Sequence, residues 1–554
     1  MVRLLPTCSL IVVLWGKFLL AQTPSWQWSL SGGGKSIDNA YRVAADVSGN
    51  VFVVGSFNSD SLSLGGIKVK RSGSMDFFIA KLNSSGTVEW VRTSGTAQTS
   101  FAYGVALDVA GNVYVAGGFI GTAAFGNIVH TTPTADVFVA KLDGSGNYLW
   151  VQRSVSSAGS SAAAYDVTLN STGQILIAGY FLGAPTIGST TLSHPSNGQG
   201  LFVATIDELG SWRWVAGAEG TSELWAKSVT ADDSGNVYVT GHFKNTAQFS
   251  SANLTSNGDH DIFVAKLNSS GQWVWAQKGG GKGLDRGISI TADRQNNVYV
   301  AGTVADTATF GNHTLPTSPF TAITFLTKYD SRGIVQSVVR VPGIPGSEIG
   351  NIVTTDENNN VYLSGTLNFG TASFGSTVWQ GTDAVGIFVA KMNSSGSYEW
   401  AQKCGAFGNL NFSLGRGADG AMYILGSFSG TTSVGNRTLT SLGSYDFFVA
   451  KFGGPISSVK HIDGLVPSSI QLSQNYPNPF NPSTTIAFDI PSAGAVSLTV
   501  FDLLGRQVTT LVNDHLQPGQ YQTTWNATGM PSGVYLYRLQ AGGFVQTRKL
   551  ILQK

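Results

Sequence analysis

A chain of 554 residues with 12% charged residues, 69 glycines and 11% aromatics carries half the charge of an average soluble protein, about 25%, and suits an all-β protein rich in tight turns. Thirty-three basic residues face thirty-two acidic ones, which excludes the basic footprint of a nucleic-acid binder or of an anionic-membrane binder. Of two cysteines, Cys8 lies in a leader expected to be removed and Cys404 is left as a lone thiol, so the mature chain has neither a disulfide framework nor a cysteine-based zinc site.

Residues 1–21 have the outline of a secretory signal peptide. Arg3 supplies the positive start, Leu4 to Leu20 are mostly apolar, and Ala21 is a small residue for cleavage. Lys17 interrupts the apolar run, so it makes a poor membrane span, and no later stretch reaches about 18 apolar residues. No transmembrane segment is expected once the signal is removed.

From there the chain repeats. The stretch Asp108–Phe119, DVAGNVYVAGGF, has seven versions, whose strands begin at Val51, Val113, Ile175, Val237, Val298, Val361 and Met422. Each unit of about 62 residues holds four strands. An alternating first strand comes eight residues before the repeated second strand, and turns such as Asp108–Asn112 join them through side-chain caps. The third strand reads D-x-F-V-A-K, as at Asp76–Lys81, Asp136–Lys141, Asp261–Lys266 and Asp446–Lys451. The fourth carries Trp90, Trp150, Trp214, Trp275 or Trp400, after a turn such as Asn83–Gly86. A short hairpin marked by Leu64, Phe125, Ile187, Phe249, Phe310, Phe374 and Val434 is expected between second and third strands.

Four antiparallel strands repeated seven times predict a seven-bladed β-propeller over residues 22–454. The seventh unit lacks a tryptophan strand, while Trp28 stands 62 residues before Trp90. Residues 25–30 are therefore expected to complete the last blade. On GNVYVAG, the Phe-Gly element, DVFVAKLD and the tryptophan strand, about 430 residues resemble the SBBP family of seven-bladed propellers. That resemblance implies a fold and little chemistry.

Residues 455–469 read as a linker, and residues 470–554 as a small immunoglobulin-like β-sandwich of six or seven short strands. Prolines at Pro477, Pro479, Pro482 and Pro491 hold an extended start. NYPNPFNPST at Asn475–Thr484, VFDLLGRQV at Val500–Val508, SGVYLYRL at Ser532–Leu539 and TRKLILQK at Thr547–Lys554 closely resemble the type A C-terminal sorting domain of the type IX secretion system. The resemblance carries the signal on Asn475, Pro477, Asn478, Pro479, Phe480, Asn481, Pro482, Gly505, Arg506, Gly533, Tyr535, Arg548 and Lys549. It implies passage through the periplasm and across the outer membrane, with the secretion machinery as partner and a secreted or cell-surface product.

Chemistry is sparse. The seven histidines show no metal-ligand spacing beyond Asp259-His260-Asp261, read as a polar loop, and no calcium loop is present. Gly32–Ser36 only superficially resembles a phosphate loop, and no G-x-S-x-G elbow occurs. No cofactor, metal or catalytic residue is assigned. The loops leading into the first strands vary most and carry Asp38, Arg42, Trp225, Lys227, Asp285, Arg286 and Glu348, expected at one mouth of the propeller. The leading expectation is a non-catalytic, exported recognition or scaffold protein with a glycan, peptide or protein ligand. Its alternatives are a secreted hydrolase or lyase acting on polysaccharide or peptide, using Asp38, Asp285 and Glu348, and a structural surface or adhesion component.

Overall fold

The computed structural model describes residues 24–553, except 96, 195–197, 318–321, 343–351, 368–371, 380–385, 406–411, 419, 436, 454–459, 463–466, 493, 517 and 528–529. The expected signal peptide lies outside the described residues. Every described element is a β-strand, and the fold class is all-β. No helix among the described residues is long and apolar enough to cross a membrane.

Up to Gly453 the strands form seven four-stranded antiparallel units. The first comprises Asp38–Ala45, Val51–Phe57, Asp76–Leu82 and Val88–Thr93, paired in that order. Each first strand touches that of the next unit, and the seventh, Phe412–Arg416, touches the first. The last unit takes its outer strand from the N-terminus: β1 (Trp26–Gly33) runs antiparallel to Asp446–Gly453, pairing Trp28 with Lys451 and Gly32 with Phe447.

Strand alternation explains why all seven residues of Val51–Phe57 are buried. Val51 and Val53 join a core with Tyr423, Leu425 and Val449 of the seventh unit. Phe52 and Val54 point the other way, into a core with Val113, Phe119 and Phe138 of the second. Period-two side chains thus bury both faces of each sheet against its two neighbours.

The tryptophans join one unit to the next. Trp90 Nε1 donates to the Gly144 carbonyl at 3.3 Å, and its ring covers Gly146, where a Cβ would meet ring carbons at 3.0 Å. Trp28, Trp150, Trp214 and Trp275 do the same toward Ser84, Glu208, Ser269 and Ser331. The fifth unit has no tryptophan, and the matching Gly396 has nothing within 4 Å of a Cβ. The hairpins join units too, as in the pairing of Gly32 with Leu64 and of Ser154 with Ile187.

The repeated Asp and Lys of the third strand are structural. Asp76, Asp136, Asp261 and Asp446 are at most 1% exposed. Asp76 accepts the Ser72 and Gly73 amides at 2.7 and 3.0 Å, and Asp446 accepts the Leu442 amide at 2.6 Å. Lys81, Lys141 and Lys266 donate to carbonyls of the following unit at 3.1–3.2 Å. Cys404 is free and buried.

The second-strand glycine serves a close approach. A Cβ on Gly117 would lie 1.9 Å from the Phe101 carbonyl oxygen, where the first strand bulges between Ala102 and Gly104. Neither side of that contact is a flexible side chain. Gly117→Ala is therefore expected to destabilise the unit by about 2–4 kcal/mol, read as a lower midpoint in denaturant unfolding followed by tryptophan fluorescence.

The C-terminal residues form two four-stranded sheets around a shared core of Phe480, Phe488, Leu498, Trp525, Tyr537 and Leu550 among others. Within the stretch read as a linker, Lys460–Ile462 pairs as an edge strand with Gly519–Asn526. Gln471–Leu472 edges the same sheet from the other side.

Candidate functional site

In units one to five the first strand carries a β-bulge opposite the second-strand glycine. The extra residue is Tyr41, Tyr103, Tyr165, Lys227 or Ile288. A bulge leaves one residue out of the ladder and re-aims its side chain. Here the side chains turn toward one another along the ring of first strands. Tyr41 and Tyr103 have ring centroids 5.0 Å apart, and Tyr103 and Tyr165 5.2 Å. Tyr180 and Trp225 extend the arc, at 5.6 and 6.0 Å from Tyr165 and 5.5 Å from each other. Lys227 Nζ lies 4.0 Å from the Tyr165 centroid and 4.4 Å from that of Trp225. All six side chains are half-buried, so packed rings still present accessible faces.

Charge gathers at the same place. Burial first, and then Arg286, bring the Lys227 ammonium down to about 7, with Glu223 acting the other way. Arg42 pairs with Asp166 at 3.0 Å. Asp166 also accepts the Ser228 hydroxyl at 2.8 Å and the Val229 amide at 3.1 Å, tying the first, third and fourth units together.

The expected mouth residues divide. Trp225, Lys227 and Arg286 belong to the arc or act on it, and Arg42 reaches the ring from the first unit. Trp225 Nε1 also donates to Gln199 Oε1. Asp38 and Asp285 are fully buried within their own units. Asp38 accepts the Asn58 amide at 3.0 Å, the Ser59 amide at 3.1 Å and the Ser59 hydroxyl at 2.7 Å, and burial raises its pKa. Asp285 accepts the Gly281 and Ala305 amides at 2.6 and 2.7 Å, and burial pushes it up to about 7. Both carboxylates fasten loops. Glu348 lies outside the described residues.

A further cluster, invisible as a motif, sits beside the arc. Glu223, His242 and His260 offer ligand atoms within 4.8 Å of one another. The His242 ring stands 5.4 Å from those of both Trp225 and His260. Burial, with Lys227, Arg286 and His260, pushes the His242 imidazole well below its ordinary range. The sequence signal that could have found this cluster is register: His242 pairs with Trp225, and His260 with Lys244, on adjoining strands.

The C-terminal motif makes a clasp. Asn475 is 2% exposed. Its side-chain amide donates to the Pro477 carbonyl at 3.1 Å and to Thr484 Oγ1 at 2.8 Å, and its main-chain N–H to Tyr537 Oη at 2.9 Å. Asn478 Oδ1 accepts the Ile551 amide at 2.9 Å, and Phe480 pairs through its main chain with Ile551 and Gln553 at 3.0 Å. The Tyr476-Pro477, Asn478-Pro479 and Asn481-Pro482 bonds are cis. Arg548 Nε donates to the Leu472 carbonyl at 2.7 Å. Arg506 pairs with Asp502 at 2.7 Å across the turn at Gly505, and Tyr535 Oη donates to the Pro531 carbonyl at 2.8 Å. Asn475 to Pro482 therefore stitches the start of the domain to its last strand.

Residues 474–553 match the family described as the secretion system C-terminal sorting domain. The protein is exported by the type IX route. The sorting domain marks it for the cell surface or for release, and makes the secretion machinery its partner. The chain is similar to an uncharacterized WD repeat-containing protein of Acanthamoeba polyphaga mimivirus, at 29% identity over 35% of its own length. The match spans 17% of that protein's length.

Proposed function

We propose that the exported protein is a non-catalytic recognition module: a seven-bladed β-propeller of the SBBP type, with an immunoglobulin-like sorting sandwich behind it, that binds an extracellular saccharide bearing acidic groups. The arc Tyr41–Tyr103–Tyr165–Tyr180–Trp225 carries this reading. Half-exposed aromatic faces suit the apolar faces of sugar rings, and each has a polar edge for hydrogen bonding. Lys227 and Arg286 at the end of the arc favour a carboxylate or sulfate on the ligand. Five neighbouring units supply the surface, so a ligand longer than one sugar can be held. The related WD-repeat protein supports the propeller assignment, and Asp38 and Asp285, fully buried and bonded to loop amides, act as loop fasteners, which favours recognition over hydrolysis.

Titration of the full chain with acidic oligosaccharides, for example oligouronates, tests the proposal by calorimetry. Trp225→Ala is expected to weaken binding by about 2 kcal/mol, close to thirtyfold. Lys227→Met should weaken acidic ligands and spare neutral ones of the same length. Equal affinity in wild type and Trp225→Ala would move the binding surface elsewhere.

A further inference from the structure

We propose that Glu223, His242 and His260 form a binding site for one divalent transition-metal ion, with zinc the class their donors suit best. The three come from separate places in the fourth unit. Glu223 immediately precedes the strand Leu224–Ala231, His242 sits in Val237–Phe249, and His260 in Ala252–Leu267. Two imidazoles and one carboxylate make a donor set zinc takes in three-ligand sites, where the fourth position stays open. Bond lengths of about 2.0–2.2 Å place neighbouring donors some 3.5 Å apart. The three donors lie within 4.8 Å of one another, with Glu223 Oε2 and His260 Nε2 already 2.9 Å apart.

Two observations favour a ligand over packing. His242 is 2% exposed, yet its Nδ1 has no hydrogen-bond partner, a costly state for a buried polar atom in a folded chain. His260 lies between two carboxylates. Its Nε2 is 2.9 Å from Glu223 Oε2, and its Nδ1, 3.2 Å from Asp259 Oδ1, has no aligned hydrogen-bond partner. A carboxylate behind an imidazole fixes ring orientation and raises ligand basicity in metal sites. Asp259 is itself held by Lys244 at 2.6 Å.

The repeat does not demand these residues. The position of His242, directly after the bulge-facing glycine, is Ser56, Gly118, Tyr180, Thr303 or Ser427 in other units. His260 corresponds to Met75 and Tyr445 by the bridges between units, and Glu223 to Ile37 and Thr99 by strand register. Among the described residues only the fourth unit assembles the set. Lys227 and Arg286 act on His242 and oppose a bare cation, whereas Glu223 and Asp259 favour it. The balance suits a metal that also takes an anion from solution at its open position.

Zinc chloride titrated into the untagged full chain, by calorimetry and equilibrium dialysis, tests the site. One equivalent is expected to bind with a dissociation constant of about 1 µM or lower and to raise the melting temperature. His242→Gln and Glu223→Gln should each weaken binding by about 100-fold, and Asp259→Asn by about tenfold. Glu223 is half-buried and isosteric with Gln, so Glu223→Gln keeps the test sound should the buried His242→Gln misfold; circular dichroism checks the fold of each. His194→Gln should change nothing. Absence of zinc binding at about 100 µM, or equal binding by wild type and a folded Glu223→Gln, would overturn the proposal. The readout is metal alone, so it stands or falls separately from saccharide binding.

Discussion

Removing residues 24–34 should open the ring. Without β1 the seventh unit keeps three strands, and Asp446–Gly453 becomes an unpaired edge. The strand contributes more than hydrogen bonds. Trp28 is 7% exposed, packs in the core shared by the first and seventh units, and donates to the Ser84 carbonyl at 3.0 Å. Trp26 lies 4.9 Å from Phe452. Truncating one buried tryptophan costs about 3–5 kcal/mol, and the ladder with its register of six residue pairs adds to that. A loss on the order of 5 kcal/mol, spread over a ring of about 430 residues, lowers the melting temperature by about 5 °C. The exposed edge should also raise aggregation. Differential scanning calorimetry of the truncated chain reads the first effect and light scattering the second. A synthetic peptide of residues 24–34 added in trans should restore part of the loss, since strand addition supplies both the ladder and the tryptophan. An unchanged melting temperature would mean that the ring does not depend on this closure.

The units were legible because their physical demands repeat. Each unit needs a tight turn after its first strand and alternating apolar residues on its second, and five units lay a tryptophan over the next unit's turn, so each demand is written several times over. Trp28 could be assigned to the far end of the chain for that reason. The aromatic arc was only half legible. Trp225, Lys227, Arg286 and Arg42 stand out as variable residues, but nothing in the sequence marks Tyr41, Tyr103 and Tyr165 apart from their neighbours in the first strands. A period-two pattern does not reveal a bulge, and it is the bulge that turns these side chains out of the ladder. The repeated glycine is the other half of that device. Gly55, Gly117, Gly179, Gly241 and Gly302 each leave room for a carbonyl oxygen within about 2 Å of a would-be Cβ. The motif that looked purely architectural is thus what admits the site. Glu223, His242 and His260 were illegible for a different reason: they lie 19 and 18 residues apart, two on separate strands and one just before a third, and only the pairing register brings them together.

Deleting residues 470–554 should hold the protein inside the outer membrane, with delivery to the medium or cell surface falling by about 100-fold in cell fractionation; the propeller's own core shares no residues with the deleted part. The recognisable string Asn475–Thr484 is mostly internal to the domain. Asn475 and Phe480 are each 2% exposed, and the Phe480 ring packs 5.5 Å from Trp525. Phe480→Ala should cost about 3–5 kcal/mol, a large part of the stability of a domain this small, and export should fall with the fold. Tyr476 is 82% exposed, so Tyr476→Ser should leave the domain protease-resistant. The pair separates two ways of carrying an address. If export follows protease resistance, the machinery reads the surface of a folded sandwich and the motif acts by holding that surface together. If a protease-sensitive Phe480→Ala is still exported at the wild-type level, the machinery reads the extended chain itself, and the clasp serves only the protein's stability.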